Sequence, residues 1–170
     1  MKHHVVLSII GIDRVEGSGH YAGKRRQEEV AHAGPVPTTI VRSAQFHEFA
    51  AMVVGWTRRD DVARVPPLLV QPIAISDLAE ALVAVATAEP SGETVEVAGP
   101  EPQDLVDMAR RTLAVRGEDV RLIPTWRGIF GTEMAGEVLL PGPEAQLATT
   151  TFEDWLASDA ATRGGNREQE

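Results

Sequence analysis

The run Val5-Val6-Leu7-Ser8-Ile9-Ile10, closed by Gly11, limits the possible folds more than any other segment. Its side chains do not alternate between apolar and polar, so it predicts a strand covered on both faces. Strands of that kind belong to parallel sheets, and parallel neighbours need a crossover, usually a helix. Residues 19–33 supply one, with Arg25, Arg26, Glu28 and Glu29 on a wet face and Gly34-Pro35 as the stop. Thr38-Thr39-Ile40-Val41-Arg42 predicts a second strand of the same type.

Further along, residues 46–56 predict a helix carrying Phe49, Met52, Val53 and Trp56 at helical spacing. A short strand is expected at 68–70. Ser76 is expected to cap a helix over 77–88, with Asp77 favouring its dipole. Residues 93–98 alternate as a strand with one exposed face, 102–115 predict a helix, and 120–123 another short strand. The stretch 128–143 reads as irregular or weakly helical, and Thr151 caps a last helix over 151–157. The polar end, 161–170, is expected to be a disordered tail. Strands alternating with helices give an α/β layer fold with parallel pairings.

The net charge of −9 repels phosphate backbones, and no basic patch with interleaved aromatics offsets it, so no nucleic-acid partner is expected. The absence of cysteine excludes disulfides, thiolate metal sites and a cysteine nucleophile. His47-Glu48 lacks the second histidine of a zinc motif, and His3-His4 reads as a solvated lead-in, so no metal site is expected. No apolar run reaches the roughly 18 residues of a membrane span, and Met1-Lys2-His3-His4 does not read as a signal peptide. A cytoplasmic protein with no membrane partner is the expectation.

Ser8, Tyr21 and Lys24 carry the chemistry. When a carbonyl is reduced, its oxygen must take up a proton. A tyrosine hydroxyl, ordinarily with a pKa of about 10, can deliver it if that pKa is lowered. An ammonium one helical turn away is the usual lever, and Lys24 follows Tyr21 by three residues on one helix face. A serine ending the neighbouring strand, as Ser8 does, can hydrogen-bond the same oxygen. An isolated Tyr-x-x-Lys arises often by chance. The apolar strand ending in Ser8 is what gives this one weight.

Several segments together resemble one family. Leu7-Ser8-Ile9-Ile10-Gly11 with Tyr21-Ala22-Gly23-Lys24-Arg25-Arg26-Gln27-Glu28-Glu29 is similar to the atypical short-chain dehydrogenase/reductase family in its NmrA-like NAD(P)-binding branch. So are Thr39-Ile40-Val41-Arg42-Ser43-Ala44-Gln45-Phe46, Val70-Gln71-Pro72-Ile73-Ala74-Ile75-Ser76-Asp77-Leu78-Ala79 and Thr151-Phe152-Glu153-Asp154-Trp155-Leu156. The resemblance implies a partial Rossmann-like, doubly wound parallel sheet with a small C-terminal substrate-lobe segment over residues 1–160. It implies NADP or NAD as cofactor and a small-molecule carbonyl as substrate.

By position it makes Ser8 the serine facing the substrate oxygen. Lys24 becomes the lysine that holds the nicotinamide ribose and tunes the acid. Ser43, Ala44, Gln45 and Phe46 become the loop under the nicotinamide. The family's tyrosine lies four residues before its lysine, where this chain has His20, so His20 and Tyr21 are alternative proton donors. They stand about 100° apart around a helix, and an imidazole ordinarily titrates at about 6.5.

The segment similar to the family's fifth strand begins here at residue 5. The expectation is therefore a C-terminal half lacking the glycine-rich cofactor turn, weakly active or inactive alone. A non-catalytic NAD(P)-sensing or partner-binding regulatory remnant is the alternative. In such a half, residues 5–10 form an unpaired apolar edge suited to self-association. A competing pattern is Gly17-Ser18-Gly19-His20-Tyr21-Ala22-Gly23. Read as a dinucleotide fingerprint, it would set Arg42 against a 2′-phosphate, although Gly17 lies far from the strand end. Asp60-Asp61 reads as an exposed loop. Trp126, Phe130 and Met134 read as either pocket lining or packing.

Overall fold

The computed structural model describes residues 2–158. The expected tail at 161–170 lies outside them. The apolar run forms β1 (His4–Ile9), crosses through α1 (Gly19–His32) and returns as β2 (Thr38–Ser43) parallel to β1. Ser8 stands opposite Arg42 and Ile9 opposite Ser43. On the other side of β2 lies β5 (Thr94–Ala98), followed by β8 (Gln146–Leu147), so the sheet order is β1-β2-β5-β8 with every pairing parallel.

Residues adjacent along a strand point to opposite faces, and the two faces of this sheet meet different helices. Arg42 of β2 is hydrogen-bonded to Glu28 of α1. Val41 packs with Val97 and with Leu78 of α3 (Ile75–Thr87). Helices thus cover both faces, which is a partial Rossmann-like, doubly wound arrangement.

The remaining elements form a second packed unit. α2 (Phe49–Thr57), β3 (Val62–Val65), α4 (Leu105–Arg116), β7 (Arg121–Pro124) and α5 (Phe152–Ala157) share one apolar core. β3 and β7 pair in parallel, and β4 (Leu69–Val70) pairs antiparallel with β6 (Gln103–Asp104). Inside this core lie Val53 and Val54 of α2, Val65 of β3, Met108 of α4 and Phe152 of α5.

Several expectations need correction. β1 is not covered on both faces: Val6 and Ser8 are buried but Leu7 is 38% exposed, because β1 ends the sheet. The strand enclosed on both sides is β2, with Thr38, Thr39, Ile40 and Val41 all buried. α2 begins three residues later than periodicity suggests, because Phe46 bridges to Ile73 and extends the line of β2. Ser76 does not cap α3, whose cap position is Ala74 with no side-chain bond. Asp77 instead accepts hydrogen bonds from the Thr150 N–H (3.1 Å) and hydroxyl (2.9 Å). The Thr151 cap of α5 forms as expected, accepting from the Asp154 N–H at 3.0 Å.

β3, β6 and β8 were not anticipated. Each is four residues or fewer and is defined by a partner distant in sequence. Just beyond β1 the chain turns at Gly11 with φ 82°, and a Cβ there would lie 2.5 Å from the Val138 carbonyl oxygen. A side chain at Gly11 would push the 128–143 stretch away from the sheet.

Candidate functional site

In open parallel sheets, ligands bind in the crevice beyond the carboxyl ends of the strands. The structure has a cleft there of about 480 Å³, beyond β1 and β2. Ser8 enters it from β1, and His20, Tyr21 and Lys24 from the first turns of α1. Ser43, Ala44, Gln45 and Phe46 line the floor. The eight residues singled out from the sequence therefore meet in one cavity.

Backbone bonds fix that floor. The Ile10 N–H donates to the Ser43 carbonyl (3.0 Å), and the Ala44 N–H to the Val97 carbonyl (2.9 Å). The Ile73 N–H donates to the Gln45 carbonyl (2.8 Å), and the His47 N–H to the Ile73 carbonyl (3.2 Å). The Ser43 hydroxyl is satisfied locally, donating to the Ala44 carbonyl at 2.8 Å.

Two lining atoms are buried without a partner: the Ser8 Oγ and the Gln45 Oε1. Ser8 is 1% exposed. Buried polar atoms are normally paired, so an orphan on a cavity wall marks a place for a ligand group. A carbonyl oxygen would accept from Ser8, and an N–H or O–H would donate to Gln45. A nicotinamide carboxamide offers such an N–H, so the residues present fit that end of a dinucleotide.

Tyr21 is buried against the core of the second unit, and burial pushes its phenol up to about 12. This corrects the expected lowering by Lys24. The Lys24 ammonium donates instead to the Leu7 carbonyl (2.7 Å) and the Gln27 side-chain oxygen (2.6 Å). Tyr21 is thus a neutral phenol across the neutral range. His20 is exposed at the rim, its ring edge-on to Tyr21 at 5.9 Å.

Arg42 does not stand open to a phosphate. Its guanidinium grips Glu28 through two bonds (3.0 and 2.7 Å) and Asp13 through a third (2.6 Å). The phosphate role that the glycine pattern at 17–23 would require of Arg42 is taken by carboxylates.

Of the outer wall, the sequence points only to Phe130, as either pocket lining or packing; the α2 residues are not read there as part of a site. Phe49, Met52 and Trp56 of α2 line it together with Phe130. Their spacing was visible as a helical stripe, but a stripe does not say which side meets the core. Of the other two candidates for pocket lining, Met134 is buried and Trp126 packs against the core.

No protein-family model matches the chain, and no curated protein matches it. Solved structures do. The NADPH-dependent quinone oxidoreductase QOR2 of Escherichia coli superposes with a TM-score of 0.70 at 14% identity, over 92% of this chain and 67% of its own. The dTDP-glucose 4,6-dehydratase of Bacillus anthracis, in complex with NAD, gives 0.63 at 14% identity, over 97% of this chain and 62% of its own. A UDP-galactose 4-epimerase gives 0.64 at 13% identity, over 98% and 65%. The chain thus spans 62–67% of the length of these neighbours. The likeness establishes the partial Rossmann-like α/β fold that they share with it.

Proposed function

We propose that the chain carries the nicotinamide-facing part of an NAD(P)-dependent oxidoreductase of the atypical short-chain dehydrogenase kind, in the NmrA-like branch, acting on a small carbonyl compound. One observation carries this reading. The orphaned Ser8 hydroxyl shares a cleft at the strand ends with Tyr21, Lys24 and the Ser43-Ala44-Gln45-Phe46 floor. Its solved neighbours include an NADPH-dependent oxidoreductase and a dehydratase in complex with NAD, which agrees with it.

A bound dihydronicotinamide would supply a hydride to the carbonyl carbon. Gln45 would hold the carboxamide from the floor, and Lys24 the ribose hydroxyls. Ser8 would donate a hydrogen bond to the substrate oxygen and strengthen it as negative charge develops there. Tyr21 would give that oxygen its proton and be left as a phenolate. A buried phenol is a weak acid, yet an alkoxide is a far stronger base than phenolate, so the transfer runs downhill. The phenolate is restored by solvent through His20 at the rim. The products are an alcohol and the oxidised cofactor.

A specific observation favours a second reading, an NAD(P)-sensing module without turnover. Lys24 is bonded to Leu7 and Gln27 rather than to Tyr21, so the phenol has no resident cation to activate it. Titration with NADPH, followed by cofactor fluorescence, tests what the two readings share. Binding that Lys24→Ala weakens is expected, and no binding at millimolar cofactor would remove both.

Turnover separates them. Ser8→Ala should lower kcat about a hundredfold. Because it removes an unpaired buried hydroxyl, it should leave stability unchanged or raise it by about 1 kcal/mol. Cofactor binding with no reduction of any carbonyl would leave the sensing reading.

A further inference from the structure

We infer that the outer wall of the cleft selects a flat aromatic carbonyl compound over a hydroxylated or saturated one, with Trp56 and Phe49 as the specificity-determining side chains. The carbonyl at Ser8 rests on the oxidoreductase reading above; the choice of ring rests on the wall itself.

α2 has two apolar sides. Ala50, Val53 and Val54 are buried in the core. Phe49, Met52 and Trp56, spaced by three and then four residues, line the cleft, Phe49 also packing against the core. Met52 stays 40% exposed and Trp56 51% exposed. The rings are arranged as a surface: Phe49 meets Trp56 at 6.3 Å and 75°, and meets Phe130 at 5.8 Å and 60°. Edges and faces set at these angles leave room for a further ring to stack or meet edge-on.

The wall offers a ligand nothing polar except the Trp56 indole N–H. The polar side chains of the cleft, Ser8, His20, Tyr21, Lys24, Ser43 and Gln45, come from β1, α1 and the floor rather than from α2, and two of them are bonded within the protein. Ser43 bonds to its own neighbour, and Lys24 to Leu7 and Gln27. What remains buried and open is the Ser8 hydroxyl and the Gln45 oxygen. A ligand hydroxyl pressed against Phe49, Met52 or Phe130 would lose its water and gain no partner, lowering affinity by about tenfold per group. A flat arene loses nothing there, and its carbonyl still reaches the inner side. The cavity of about 480 Å³ is of small-molecule size.

The test uses the full chain without cofactor, by titration calorimetry. The probes are acetylnaphthalene, its trihydroxylated analogue and its fully saturated analogue, acetyldecalin. Acetylnaphthalene should bind at least about tenfold more tightly than the trihydroxylated analogue and about fivefold more tightly than the saturated one. Trp56→Ala should weaken it by about tenfold, Trp56→Phe should restore most of the loss, and Met52→Ser should weaken it without removing a ring. Trp56 is half exposed, so the folded fraction of each variant can be matched by circular dichroism before titration.

Equal binding of the trihydroxylated or saturated analogue would overturn the inference. So would unchanged binding by both Trp56→Ala and Met52→Ser, or no binding of acetylnaphthalene. Because no cofactor is present, failure to reduce the same ketone with NADPH would count against the oxidoreductase reading and leave the ring preference standing.

Discussion

Tyr21 and Lys24 show how little a spacing says about where polar ends go. They lie one turn apart on α1, as their positions in the sequence require. Yet the phenol is buried against the core while the ammonium is held by the Leu7 carbonyl and Gln27. Tyr21 is the chain's one tyrosine, so the ultraviolet absorbance of tyrosinate reports it alone. An alkaline titration should give a midpoint near 12, and Tyr21→Phe should abolish the signal. The sign of the linkage follows. The folded value lies above the unfolded one of about 10, so the stabilisation is intact below pH 10 and is lost as pH rises toward 12. A midpoint at the ordinary value would mean that the phenol is open to water.

At the scale of elements, one ionic cluster ties α1 to the sheet. Arg42 on β2 forks onto Glu28 of α1, with side chains 17% and 10% exposed, and reaches Asp13 in the loop between them. These hydrogen bonds, with Glu28 first, hold the guanidinium charged against the opposing effect of burial. Removing one partner strands the other charge away from water. Arg42→Met should therefore cost about 3 kcal/mol, and adding Glu28→Leu should recover most of it, as read by urea unfolding. No loss in the single variant would show the cluster to be a solvated pair of little consequence. The elements themselves were largely legible. The apolar runs at β1 and β2 and the stripes of α1 and α2 are long enough to set their own periodicity. β3, β6 and β8 were not, because two to four residues carry no period and gain their strand character only from a partner.

At the scale of the whole molecule, the segment carrying α5 closes the second unit through a buried histidine. The His47 Nε2 is 3.2 Å from the Thr150 carbonyl oxygen, and the His47 ring lies 5.6 Å from those of both Phe152 and Trp155. Burial lowers the His47 pKa from 6.5, outweighing the Thr150 carbonyl and Asp77, which raise it. For Asp77, burial raises the pKa, but hydrogen bonds from Thr150 and Ser76 bring it below 3.8. Both shifts have the same sign for stability. The His47 contribution is complete above pH 6.5 and falls away as pH drops through the lowered value; that of Asp77 follows the same course from 3.8. Urea unfolding should weaken below pH 6.5, and His47→Gln should flatten that limb; an equal slope in both proteins would remove His47 as its cause. The sheet poses a second question at this scale. β1 is an end strand with an apolar sequence, and such edges recruit other chains. Sedimentation velocity should show concentration-dependent self-association. A single monomeric species at every concentration would show that the edge is protected.

The order of the longer strands and helices, the parallel pairing of β1 with β2 and the grouping of Ser8, Tyr21, Lys24 and residues 43–46 were legible before the structure. The first two depend on local periodicity and on the crossover that parallel strands need, whereas residues 43–46 joined the group only through the family resemblance. Folding in three dimensions decided the rest. It turned the Phe49, Met52 and Trp56 side of α2 toward the cleft, bonded the Lys24 ammonium to the Leu7 carbonyl and Gln27, and closed Arg42 within two carboxylates. Those outcomes depend on which distant surfaces meet, and on how much water each meeting excludes. Neither quantity is present in the spacing of residues along the chain.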